Sequence, residues 1–141
     1  MDNIREKAEE ALAGFIGEGH DFHPGQYEAI EATLTKRRTL VVQRTGWGKS
    51  MVYFICTKLL RKEGKGATLV VSPLLALMDN QIAAAEKGGL KCGVLNSART
   101  SGEKNNTLNA MKRNELDMVF TTPETLFSTV YPEIGNKPIG R

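Results

Sequence analysis

The chain has 141 residues, 40% of them apolar and 25% charged, which suits one folded domain with a real core and excludes a disordered polar tract. Nineteen basic residues against 16 acidic ones leave a net charge of +3, too small an excess to identify a nucleic-acid binder by itself. Cys56 and Cys92 stand far apart with no Cys-x-x-Cys spacing, and no apolar run reaches membrane-spanning length, so core thiols in a cytoplasmic protein with no membrane partner are expected.

In chain order, Ile4, Ala8, Ala11, Leu12, Phe15 and Ile16 share one helical face. An amphipathic helix over 2–17 is therefore predicted, ending near Gly17 and forming a leading segment, 1–20, ahead of an α/β unit at 21–141. A loop through Gly25 gives way to a helix at 26–34, signalled by Pro24. The β-branched apolar run 39–43 reads as a strand, and Met51–Leu60 as a buried helix.

Between those two lies Thr45-Gly46-Trp47-Gly48-Lys49-Ser50. A glycine-rich turn between a strand and a helix aims backbone N–H groups inward, and the helix start adds its positive dipole end. Lys49 would reach the outer phosphates of a nucleoside triphosphate, and Ser50 would offer its hydroxyl to Mg2+. The strict pattern wants glycine where Gln43 stands; this shorter form is the variant of helicase-type ATPases. Trp47 at the loop tip could stack on a base or pack beneath a neighbour.

Beyond the cradle the chain alternates: strand 67–72, helix 74–86 opened by Pro73 and closed by Gly88-Gly89, strand 92–96, helix 101–114, strand 118–122 and a short helix from Pro123 to about Val130. Alternation at this spacing implies βαβ units and a parallel sheet covered on both faces. Asp79 and Asp117 are the only aspartates after the cradle; one falls within a helix and the other precedes its strand, so neither reads as a metal carboxylate. Small basic clusters such as Lys36-Arg37-Arg38 read as solvated helix ends at least as well as nucleic-acid contacts.

Several blocks agree in order and spacing with one family. Phe22-His23-Pro24-Gly25-Gln26, the cradle, Val70 to Gln81 with its Val-Ser-Pro-Leu core, Leu95-Asn96-Ser97 and Thr122-Pro123-Glu124 resemble the RecQ-type ATP-dependent DNA helicases of superfamily 2. The resemblance covers about residues 20–127 and implies an incomplete three-layer P-loop NTPase (RecA-like) fold. It also implies ATP and Mg2+ as cofactors and DNA as partner. Gln26 matches the glutamine that reads the adenine edge, a pairing for which a primary amide is chemically suited. Phe22 would pack near the base, while His23 departs from the arginine usual there.

Thr45, Gly46, Trp47, Gly48, Lys49 and Ser50 match the nucleotide-binding loop, with Lys49 and Ser50 in the catalytic roles. Ser72, Pro73, Asn96, Ser97, Thr122, Pro123 and Glu124 match segments that line DNA. Ser72 and Pro73 read equally well as a helix cap. The family's Asp-Glu-x-His segment, its aromatic-rich loop and its second lobe are not found in these residues, so an ATP-binding part of a helicase, itself inactive in hydrolysis, is expected. A small P-loop phosphotransferase and a non-enzymatic single-stranded DNA-binding module are the alternatives.

Overall fold

The computed structural model describes residues 3–36, 38–42, 48–73 and 75–130. Helix α1, Ile4–Ile16, buries Ala8, Ala11, Leu12 and Phe15, the i, i+3, i+4, i+7 spacing of one helical stripe. It ends where Gly17, at φ 89, donates its N–H back to the Ala13 carbonyl. Helices α2, Gln26–Thr35, and α3, Lys49–Lys62, follow. The chain then runs through β1 (Thr68–Val71), α4 (Leu75–Lys87), β2 (Cys92–Leu95), α5 (Ser101–Lys112) and β3 (Met118–Thr121). A single turn of helix, α6 (Pro123–Thr125), leads into a π-helical turn at Leu126–Val130.

The three strands form a parallel sheet in the order β1-β3-β2, with Val71 and Leu95 both opposite Thr121. Helix α4 carries the chain past β3, and α5 brings it back. Reversing direction with one crossover hand puts the two helices on opposite faces. Side chains alternate accordingly. Val70, Val94, Met118 and Phe120 join Phe15, Phe54, Ile55 and Leu59 beneath α1–α4, whereas Leu69, Leu95 and Val119 join Leu108 and Met111 of α5. The middle strand β3 is buried throughout, as a strand covered on both faces must be. The expected α/β sheet with helices on both faces is present. No helix among the described residues is long and apolar enough to cross a membrane.

The strand expected at 39–43 is not formed over its described residues, and Gln43 lies outside them. Leu40 and Val42 are 89% and 80% exposed, and Val41 alone turns onto the core. A strand exists only through hydrogen bonds to a neighbour. Among the described residues β1 pairs with β3 and has no partner on its other edge, so β-branched composition here gives no strand.

Helix α3 is pinned at its carboxyl end. Thr57 donates to Thr68 Oγ1 at 2.6 Å, and Arg61 Nε donates to Asp117 Oδ1 at 2.8 Å. The Arg61 guanidinium also reaches the Lys65 carbonyl, Asn114 Oδ1 and the Asn114 carbonyl at 2.9, 2.7 and 3.0 Å. Asn114, at φ 59, is in the left-handed conformation that stops α5 short of its expected end. Asp117 Oδ2 accepts from Lys91 N at 2.8 Å, so this carboxylate is a structural tie.

Replacing Asp117 by Ala leaves two donors unanswered, and unfolding in urea is expected to lose about 1–3 kcal/mol. An unchanged midpoint would show that the tie contributes nothing. Helix α5 starts with a reciprocal box, Thr100 N to Glu103 Oε1 at 2.9 Å and Glu103 N to Thr100 Oγ1 at 3.1 Å. The Thr100 backbone bond holds the Glu103 carboxyl below its ordinary pKa. A depressed folded value means the stabilisation is complete above the unfolded pKa and fades as pH falls through the folded one. Acid titration of helicity should therefore be flatter for Glu103→Gln.

Candidate nucleotide site and the carboxyl edge of the sheet

Because the strands are parallel and in register, Ser72, Asn96 and Thr122 leave the sheet side by side at its carboxyl edge. Helix α3 is tied at the opposite edge through Thr68 and Asp117, the residues that open β1 and precede β3. Its amino end therefore faces the carboxyl edge as well. Thr45, Gly46 and Trp47 of the expected cradle lie outside the described residues. Gly48, at φ 95 and ψ 39, stands at the N-cap with no side-chain cap bond, and the first turn holds no acidic residue. Lys49 is exposed at the first helical position, where a cation opposes the helix dipole. Amide donors and an ammonium at one helix start form a receptor for an anion.

Gln26 is brought directly to this turn. Only 4% exposed, it accepts from His23 N through Oε1 at 2.7 Å and donates through Nε2 to the Gly48 carbonyl at 3.1 Å. These bonds fix the plane of the amide. They also explain the glycine, since a Cβ at position 48 would collide with Gln26 Nε2. Phe22 is partly buried, its ring centroid 6.1 Å from that of Tyr27. The Arg5 guanidinium of α1 lies 4.4 Å from the Tyr27 centroid and 5.9 Å from that of Phe22. Sequence reasoning missed Arg5 and Tyr27: a helix-surface arginine so far upstream carries no signal of this stack.

Ser50, partly buried in the first turn of α3, has its Oγ 3.1 Å from Tyr53 Oη. Gln81 of α4 donates to Tyr53 Oη at 2.9 Å and lies 3.4 Å from Ser50 Oγ. Tyr53 also went unread, although its spacing from Ser50 puts both on one helical face.

The strand ends divide into two kinds. Asn96 is buried, its Oδ1 accepting from Ala98 N at 2.9 Å, and Thr122 is buried as the N-cap of α6, accepting from Thr125 N at 3.3 Å. Pro123 fills the first turn of α6. Pro73, Ser97 and Glu124 are exposed. Ser72 continues the ladder, donating its N–H to the Thr121 carbonyl at 2.9 Å. Helix α4 begins at Leu75, past the Pro73 bend, not directly on Pro73. A cavity of about 290 Å³ opens beside Asn96, lined by Met78, Asp79, Val94, Ala98 and Arg99.

Both cysteines are free, and burial pushes the Cys56 and Cys92 thiols up to about 12. They stay protonated and inert. Among the described residues no cluster of three or more His, Cys, Asp or Glu could hold a metal ion.

Residues 23–137 match the DEAD/DEAH box helicase family, and the chain belongs to that family. Within it the likeness is to the RecQ type. The chain is 39% identical over 124 residues to the ATP-dependent DNA helicase RecQ of Synechocystis sp., covering 88% of this chain and 25% of that protein. It is 33% identical over 129 residues to the RecQ of Bacillus subtilis, covering 91% and 21%. Against the human ATP-dependent DNA helicase Q4 it is 36% identical over 109 residues, covering 77% and 9%. The chain thus spans a quarter or less of the length of these relatives. A crystal structure of a hypothetical ATP-dependent RNA helicase from Sulfolobus tokodaii superposes with a TM-score of 0.66 at 22% identity, over 95% of this chain and 38% of that one. That likeness establishes the RecA-like helicase fold.

Gly48→Ala tests the turn. A left-handed alanine costs about 1–2 kcal/mol, and the collision with Gln26 adds to it. Chemical denaturation should show a loss at least that large, partly relieved in the Gly48→Ala/Gln26→Ala double variant.

Proposed function

We propose that this chain is the ATP-binding part of an ATP-dependent, RecQ-type DNA helicase. The observation that carries the reading is the amino end of α3, opened by Gly48 with no acidic residue in its first turn, headed by Lys49 and steadied through Gly48 by Gln26. Membership of the helicase family supports it. In this reading Gly46, Gly48, Lys49 and Ser50 hold the phosphates, with Thr45 and Trp47 part of the same nucleotide-binding loop, and Lys49 neutralises the outer ones. Gln26 and Phe22 face the adenine.

Mg2+ fits the donor available. A hydroxyl oxygen is a hard ligand, and Mg2+ keeps most of its waters while taking the remainder from one or two protein oxygens and the phosphates. Ser50 would be that protein ligand. The ion would draw charge from the phosphates during hydrolysis. The chain's own residues bind and orient: Lys49 fixes the tail, Ser50 the cation, Gln26 the base.

Ser72, Pro73, Asn96, Ser97, Thr122, Pro123 and Glu124 would form a ledge along which the DNA backbone passes, held without sequence reading. Closure of a second lobe over the nucleotide would complete hydrolysis in the whole enzyme, so these residues alone should bind ATP weakly and leave it intact.

Calorimetric titration provides the test. The parent chain is expected to bind Mg·ATP, and Lys49→Ala is expected to abolish binding. Equal affinity in the two would remove the assignment. A titration of labelled single-stranded DNA with and without ATP separates a helicase part, whose DNA affinity responds to nucleotide, from a module whose affinity does not.

A further inference from the structure

We propose that Tyr53 and Gln81 are positioning residues for the Ser50 hydroxyl, setting which way its hydrogen points and so whether its oxygen can ligate a cation. The inference rests on the nucleotide-site reading above and adds two residues to it.

Three polar groups converge from two helices. Ser50 Oγ and Tyr53 Oη are 3.1 Å apart, and Gln81 Nε2 lies 2.9 Å from the tyrosine oxygen and 3.4 Å from the serine oxygen. The tyrosine ring is held edge-on against Phe54, centroids 5.3 Å apart, and Phe54 is 1% exposed. The tyrosine ring is partly buried and packs against the core. Gln81 belongs to α4, which starts just past the Ser72–Pro73 bend.

The chemistry of the three groups permits two hydrogen arrangements. An amide nitrogen only donates, whereas each hydroxyl has one hydrogen and two lone pairs. If Tyr53 donates to Ser50, the serine oxygen accepts from both Tyr53 and Gln81, and its lone pairs are occupied. If Ser50 donates to Tyr53, the tyrosine oxygen accepts from both Ser50 and Gln81, and a serine lone pair turns outward. Only the second arrangement suits a cation ligand. The tyrosine oxygen is the acceptor that makes it possible, and the shorter Gln81 bond holds that oxygen in place. A cation arriving with the nucleotide would select this arrangement, much as outer partners orient ligands at other metal sites.

The experiment has two arms. In the first, a fluorescent ATP analogue is titrated into the chain in Mg2+ and in EDTA. Tyr53→Phe and Gln81→Met should each lose about tenfold of the affinity gained from Mg2+, with affinity in EDTA unchanged. Ser50→Ala should lose the same gain, and adding Tyr53→Phe to it should cost nothing more. A full Mg2+ gain in Tyr53→Phe, or equal losses in both buffers, would overturn the proposal. In the second arm the nucleotide-free chain is followed by NMR at the Gln81 side-chain amide. Its signals should move in both Tyr53→Phe and Ser50→Ala; unmoved signals would dismiss the network outright. If the network is intact but Lys49→Ala binds the analogue as well as the parent, the nucleotide site has been misplaced and the proposal falls with it.

Discussion

Arg61 decides where the helix that carries the candidate site begins. Its guanidinium is held by Asp117 and by the turn at Asn114, at the edge of the sheet where strands start. Helix α3 has 14 residues and spans roughly 20 Å, while four-residue strands span roughly 13 Å. A helix fixed at one edge and longer than the strands beside it must project past the other edge. Gly48, Lys49 and Ser50 stand there, on the side where the strands end. Asp117 ties Arg61 to Lys91 at the opposite edge, so this carboxylate helps set where α3 lies along the sheet.

Two helix starts in this chain solve the same electrostatic problem in opposite ways. Helix α5 satisfies its own orphan donors through the Thr100–Glu103 box, with an acidic group at the positive end of the dipole. Helix α3 has glycine for a cap and lysine in its first turn. The charge rule for a helix start is broken at Lys49, a cation at the positive end of the dipole, and obeyed at Glu103. Local inconsistency of this kind is what a functional site produces. The missing favourable charge is what a bound phosphate would supply.

Helices were legible through the stripe their apolar residues form, and buried strands as short β-branched apolar runs between turn signals. Phe15 and Leu12 repeat on one stripe, and Val94 and Leu95 point to opposite faces. Residues 39–43 share that composition, yet strand formation depends on a neighbour, and composition names none. The site was half legible. The block ending at Gln26 and the cradle were readable as separate motifs, but the bond from Gln26 to the Gly48 carbonyl is a property of packing. Tyr53, Gln81 and Arg5 were harder still. Tyr53 falls within the expected buried helix, Gln81 closes a family block and Arg5 lies on a helix surface, and none of the three signals its partner on another helix.

The carboxyl edge also constrains what could lie on it. Asn96 and Thr122 spend their side-chain oxygens on a turn and a helix cap, so their chemistry is directed inward. Among the described strand-end residues Pro73, Ser97 and Glu124 are exposed, and the Glu124 charge repels phosphate. The cations at this edge among the described residues are Lys49, exposed at the head of α3, and Arg99, whose charge is partly offset by Glu103 at 3.7 Å. A nucleic-acid backbone following this edge would be repelled at Glu124 and drawn toward those cations. Charge, more than the polar residues of the strand ends, would set its path.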